Sequence, residues 1–202
     1  MSDYVWVSNV MNDSVLIVMA SSDIAEENKD KAIAGLKALK SWYSVDPESL
    51  PKRIYLGEGK GTNLPPIFDV NGYYIVSGQI AEILVRYDLG GGALHPVQVL
   101  QSDKATPVGG DWHCWVFGNR KSAFSKQSSR NLEPFGTSEE WAEMPYDPAD
   151  FDVAVTSAAK EGADVWLDPP MFKTIFLGKE LGDELSAAGL GKAMRIYRAT
   201  VV

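Results

Sequence analysis

One stretch of this chain occurs twice. Tyr74-Ile-Val-Ser-Gly-Gln-Ile-Ala-Glu-Ile-Leu-Val-Arg-Tyr-Asp-Leu-Gly90 is matched by Ile175-Phe-Leu-Gly-Lys-Glu-Leu-Gly-Asp-Glu-Leu-Ser-Ala-Ala-Gly-Leu-Gly191. Ile80 aligns with Leu181, Leu84 with Leu185, Leu89 with Leu190 and Gly90 with Gly191, all 101 positions apart (185 − 84) and with no gap needed. Each copy opens on a short apolar run that meets a residue able to start a helix, Ser77 or Gly178. A helix of about ten residues should follow, its buried face carrying apolar residues four apart. Gly90, Gly91 and Gly92, or Gly189 and Gly191, are expected to end it. The β-prone runs Leu94 to Leu100 and Met194 to Val202 complete two strand-helix-strand units. Neither helix carries a cluster of ligands or nucleophiles, so the repeat reads as scaffold, and two copies are too few for a solenoid.

The rest of the chain supports a mixed α+β protein, a β-sheet scaffold with few helices. Its 202 residues suit a single domain; two pseudo-repeated halves meeting near 101–110 are the other arrangement. Tyr4 to Ser8 and Val15 to Ala20 read as two strands joined by a turn, the second apolar on both faces and therefore central. A helix is expected from Asp23, with Glu26 three residues on as a capping signal, to about Trp42. Lys52 to Gly57, Asp111 to Gly118, Phe151 to Val155 and Val165 to Leu167 read as strands. In the second of these, Trp112, Cys114 and Val116 share one face, and His113, Trp115 and Phe117 the other. Residues 119–150 form a long connection without periodicity, of the kind that is either functional or disordered.

The net charge of −8 is local. Seven acids, Glu133, Glu139, Glu140, Glu143, Asp147, Asp150 and Asp152, fall within twenty residues that hold no Lys or Arg. Removing them leaves 20 acids against 19 bases. Such a patch repels phosphate-rich partners and steers basic protein surfaces, so neither nucleic acid nor an anionic membrane is an expected partner. The basic residues Arg120, Lys121, Lys126 and Arg130 just upstream would neutralise part of it. Trp141, set among the acids, has the composition of a hot spot for gripping a protein and equally of an anchor to its own core.

Chemistry is sparse. The only histidines are His95 and His113, and His113 cannot share a metal with Cys114 because neighbours on a strand face opposite ways. No cofactor or metal is expected. Gly57-Glu-Gly-Lys-Gly-Thr62 places its Lys inside the glycines and runs into Leu64-Pro65-Pro66, so it reads as a loop rather than a phosphate cradle. Glu139 and Glu143 would share a helix face, but nothing sets them apart from surface acids. The lone Cys114 fits a reducing cytoplasm. No secretory signal is read in the N-terminal residues, and the longest apolar run, Val15 to Ala20, is too short to span a bilayer.

Several of these segments, in order, resemble a known family. Ile75 to Leu84, Leu94-His-Pro-Val-Gln-Val99, Val116-Phe-Gly-Asn119 with Ala123-Phe124, Asp164-Val-Trp-Leu-Asp-Pro169 and Ile175 to Leu181 are similar to bacterial polymorphic-toxin immunity proteins, the eleventh-numbered immunity family. The resemblance spans roughly residues 50–202; where such proteins usually open both helices with Ser, this chain has Ser77 but Gly178. It implies a non-enzymatic protein that binds and blocks a cognate toxin domain, with no catalytic residues. The matched motifs look like fold determinants, which leaves the acidic segment as the candidate toxin-binding surface, suited to a basic toxin. The alternatives are a small-ligand or regulatory domain with a cleft between the copies, lined by Tyr73, Tyr74, Trp166 or Phe176, and a carboxylate-dependent hydrolase.

Overall fold

The computed structural model describes residues 3–12, 18–41, 45–59, 63–134, 142–143, 150–171 and 173–202. They divide into two compact units: a terminal unit drawn from residues 1–13, 87–90 and 119–202, and a central unit drawn from 14–86 and 91–118. Each is a mixed sheet with helices, so the fold is α+β with a β-dominated scaffold.

In the central unit six strands run in the order β2 (Ala20–Ser22), β3 (Arg53–Leu56), β6 (Ala93–Leu100), β7 (Trp112–Val116), β5 (Tyr73–Ser77), β4 (Ile67–Val70). β4 and β5 form a hairpin closed by Asn71 and Gly72, both at positive φ, the two-residue turn that matches strand twist. One sheet face packs Phe68, Tyr73, Ile75, Val97, Val99, Trp112 and Cys114 with Leu39 and Leu50, and α2 (Lys29–Ser41) brings Leu36 to this core. Each such side chain contributes roughly 1.5–3 kcal/mol by leaving water. α3 (Gly78–Leu84) buries Ile80, Ala81, Ile83 and Leu84. The N–H of Val18 donates to the carbonyl of Asp69 in β4 at 3.0 Å, so the two edges of the sheet curl toward each other.

In the terminal unit five strands run in the order β10 (Ala154–Val155), β13 (Ile196–Val201), β1 (Tyr4–Ser8), β12 (Ile175–Leu177), β11 (Val165–Leu167). α4 (Lys179–Ala187) buries Leu181, Gly182 and Leu185. The other side is a core of Val5, Val7, Val155, Trp166, Phe176 and Ala199. A separate strand pair, β8 (Glu133–Pro134) with β9 (Ala142–Glu143), belongs to this unit.

The repeat is larger than the sequence shows. β5 lies antiparallel to β7, which lies antiparallel to β6, and β6 is parallel to β3. β12, β1, β13 and β10 repeat that pattern strand for strand. The registers coincide: Ile75 faces Cys114 as Phe176 faces Val7, His95 faces Cys114 as Tyr197 faces Val7, and Ile54 lies beside Val99 as Val155 beside Val201. The hairpin partners β4 and β11 also correspond, Phe68 facing Ile75 as Trp166 faces Phe176. β2 has no counterpart, and the connectivity differs. The middle strand follows β6 directly in the central unit, whereas the terminal unit takes it from the start of the chain.

Four expectations are corrected. The offset of 101 does not carry into the strand that follows each helix: Ile75 and Phe176 are 101 positions apart, but His95 and Tyr197 are 102 apart, so the second copy gains one residue before that strand. The glycines after the first helix do not stop it; α3 ends at Leu84, and Gly90 adopts positive φ six residues later, while Gly189 follows α4 at once. The first two strands do not pair, because β1 enters the terminal sheet and β2 forms an edge of the central one rather than its middle; residues 15–17 lie outside the described residues. The helix from Asp23 breaks at Asn28 into α1 (Asp23–Glu27) and α2, and it is Ser22 that caps α1 by accepting from the Ala25 N–H at 3.4 Å.

Candidate functional site

Two surfaces are candidates. The first is the acidic segment. β8 and β9 pair antiparallel with Glu133 directly opposite Glu143, one acidic position against another. Like charges at opposed positions of a strand pair destabilise it unless a cation lies between. Asp150 is exposed, and its carbonyl accepts from Asn131 Nδ2 at 3.2 Å. Asp152 meets Arg130 at 3.7 Å, both largely exposed, so one of the upstream bases does offset one acid. Glu139, Glu140, Trp141 and Asp147 lie outside the described residues, as do Lys60 to Thr62 of the glycine-rich loop.

The long connection that carries the segment is stitched down on its upstream side. Asp168, buried, accepts from the backbone N–H groups of Ala123 and Phe124, both at 2.7 Å. Burial raises its carboxyl above the ordinary value, and the two N–H groups pull the other way. Asn119 Nδ2 donates to the carbonyls of Leu89 at 2.6 Å and Val165 at 2.9 Å. Asp164 Oδ2 accepts from the Asp88 N–H at 3.0 Å. Asn119, Asp164 and Asp168 are therefore held in hydrogen bonds to the backbone. A scan against protein-family models finds no match to this chain. A comparison with curated proteins finds none either.

The second surface is an open cleft of about 760 Å³ in the central unit, bounded by α3, β6 and β7. Its walls carry Ala81, Val85, Pro96 and Val97, and its polar groups are Lys52, Glu82, Gln98, Asp111 and His113. Val85 is 64% exposed at its rim. The Nδ1 atom of His113 is buried without a hydrogen-bond partner. Sequence reasoning missed this cleft because its residues come from four separate segments, and only strand pairing brings them together.

Several residues singled out from the sequence are interior. Tyr73, Trp166 and Phe176 are buried in the cores of their own units, Tyr73 on the strand face that packs against α2 and Trp166 and Phe176 in the core of the terminal sheet. Tyr74 is half-buried, and burial pushes its hydroxyl far up. Cys114 is fully buried, which pushes its thiol up to about 12 and leaves it a packing residue. Among the described residues no group of three or more His, Cys, Asp or Glu is placed to hold a metal, and no helix is long and apolar enough to cross a membrane.

Proposed function

We propose that this protein is an immunity protein of the polymorphic-toxin kind, which neutralises a cognate toxin domain in the cytoplasm by direct contact and without catalysis. The observation that carries the reading is the placement of acid against acid. A strand pair that sets Glu133 opposite Glu143, within a twenty-residue segment of seven acids that holds no Lys or Arg of its own, is an arrangement that a basic partner stabilises on docking. The resemblance in the order of several motifs supports it too, since those motifs build the scaffold and leave this surface free to recognise a partner. A small-ligand or regulatory domain is the second reading, and the open cleft beside α3 is what favours it.

The test is charge reversal of Glu139, Glu140 and Glu143 to Lys, with binding to the product of the adjacent upstream gene followed by surface plasmon resonance at low and at physiological salt. The on-rate is expected to fall by about tenfold or more, and the loss to shrink as salt screens the charges. An unchanged on-rate and affinity at low salt removes the segment from the interface.

A further inference from the structure

The correspondence between the units shows what stands in each of two equivalent places. In the terminal unit the place beneath the helix is filled. Trp6 lies against Gly182, and its Nε1–H donates to Asp183 Oδ1 at 3.0 Å. Tyr4 donates its hydroxyl to the same oxygen at 2.9 Å. Lys179 pairs with Asp183, and the Arg198 guanidinium lies over the rings of Tyr4 and Trp6, 4.4 and 5.5 Å from their centroids. A carboxylate thus has a planar N–H donor and a cation on it, with a second cation over the rings that donate to it.

Registers transfer these positions to the central unit. Trp6 corresponds to His113 and Tyr4 to Asp111, because Leu177 faces Trp6 as Val76 faces His113. Arg198 corresponds to Pro96, since it faces Trp6 as Pro96 faces His113. Along the helix, where the offset is 101, Asp183 corresponds to Glu82, Gly182 to Ala81 and Lys179 to Gly78. All six of these central-unit residues line the open cleft. The carboxylate is kept and a second, Asp111, is added; the large planar ring and both cations are gone. Lys52, the one Lys or Arg among the described residues lining the cleft, is engaged with Glu48 at 3.1 Å.

We infer that this cleft is a docking pocket for an arginine side chain presented by a protein partner, the guanidinium supplying on binding the planar N–H donor and the positive charge that Trp6, Lys179 and Arg198 supply in the other unit. A guanidinium forks onto a carboxylate through two N–H groups, and its flat face packs on apolar and aromatic surface. Glu82 and Asp111 are exposed and supply the acceptors. Val85, Pro96 and Ala81 supply walls for the aliphatic stem. A lysine has the charge without the plane, and a tryptophan the plane without the charge. The inference deepens the reading of a basic protein partner and adds a contact point distinct from the acidic segment.

The test uses the intact, isotope-labelled protein and three probes, N-acetyl-arginine amide, N-acetyl-lysine amide and N-acetyl-tryptophan amide, titrated while backbone amide shifts are followed. The arginine probe is expected to bind with a dissociation constant on the order of millimolar, as suits so small a ligand, and to shift amides of residues 78–85, 96–99 and 110–113. The lysine probe should bind at least about fivefold more weakly, and Glu82→Gln should weaken the arginine probe about tenfold. His113→Trp, which restores the ring of the other unit, should abolish the shifts; if it does not fold, Glu82→Lys serves the same purpose from an exposed position. Asp183→Asn should leave them unchanged. Absent or scattered shifts, equal binding of lysine, or preference for the tryptophan probe overturns the inference. Because no toxin is used, that result leaves the acidic-segment reading standing, and failure of the charge reversal leaves this one standing.

Discussion

At the residue scale the most constrained contact is that of Gly182 with Trp6. A methyl group added at Gly182 would overlap the indole, its Cβ included. Neither partner has room to yield, since Trp6 is only 9% exposed and Gly182 lies in the buried face of α4. Gly182→Ala is expected to destabilise the protein by about 1–3 kcal/mol through overpacking, measured as a lower urea midpoint. The carboxylate beside it makes a pH prediction. Burial opposes ionisation of Asp183, but the hydrogen bonds from Lys179, Tyr4 and Trp6 outweigh it and hold the group below its ordinary 3.8. A depressed carboxyl stabilises the fold above its unfolded value and loses that contribution as pH falls through its folded one. The stability gap between the wild type and Asp183→Asn, present at pH 6, should therefore close as pH is lowered below 3.8, as urea midpoints across that range will show. None of this network was legible in the sequence, because Tyr4 and Trp6 lie more than 170 residues from Asp183. The opposite faces of His113 and Cys114 were legible, since alternation along a strand is local.

At the scale of elements, legibility followed the range of the interaction that builds each one. β5, β7, β11 and β12 are where apolar runs place them, being buried on both faces or nearly so. The starts of α3 and α4 coincide with Ser77 and Gly178, yet neither caps through its side chain; Gly78 and Gly178 instead donate their N–H groups to the carbonyls of Asp111 and Asp164, at 2.6 and 2.7 Å. The helix end at Leu84 was misread because glycines mark turns of many kinds. It is Gly118 that must be glycine, because it backs onto the Gly91 backbone at a distance that a Cβ at Gly118 would block. The hairpin of β4 and β5 did carry a local signal, Asn71-Gly72 between apolar runs, that the sequence reading left unused. Gly72 has φ +96° and Leu36 packed beside it. Gly72→Ala is expected to cost about 1–2 kcal/mol, whereas Asn71→Gly should stay within about 0.5 kcal/mol of the wild type, both by chemical denaturation.

At the scale of the molecule, the sequence shows a repeat of strand, helix and strand, while the structure shows five corresponding strands and a helix in each unit. The remainder was hidden because the middle strand of the terminal unit is displaced to the other end of the chain, where no alignment at a fixed offset can find it. That displacement predicts how a fragment behaves. Tyr4 lies opposite Thr200 in β13, and the N–H of Val201 donates to the carbonyl of Asp3 at 3.0 Å, so a short turn can join the end of β13 to the start of β1. A fragment of residues 119–202 followed by a turn and residues 3–12 is expected to fold cooperatively, and residues 119–202 alone to lack near-ultraviolet circular dichroism and a melting transition.

The place of β1 also bears on how the chain is born. Tyr4-Val-Trp-Val-Ser8 leaves the ribosome well ahead of both strands that flank it, β12 and β13, which begin 171 and 192 residues later (175 − 4 and 196 − 4). At typical translation speeds of about 5–20 residues per second, that apolar strand waits on the order of ten to thirty seconds with both of its edges bare. Its safe keeping in the interval falls to whatever shields nascent hydrophobic segments in the cell.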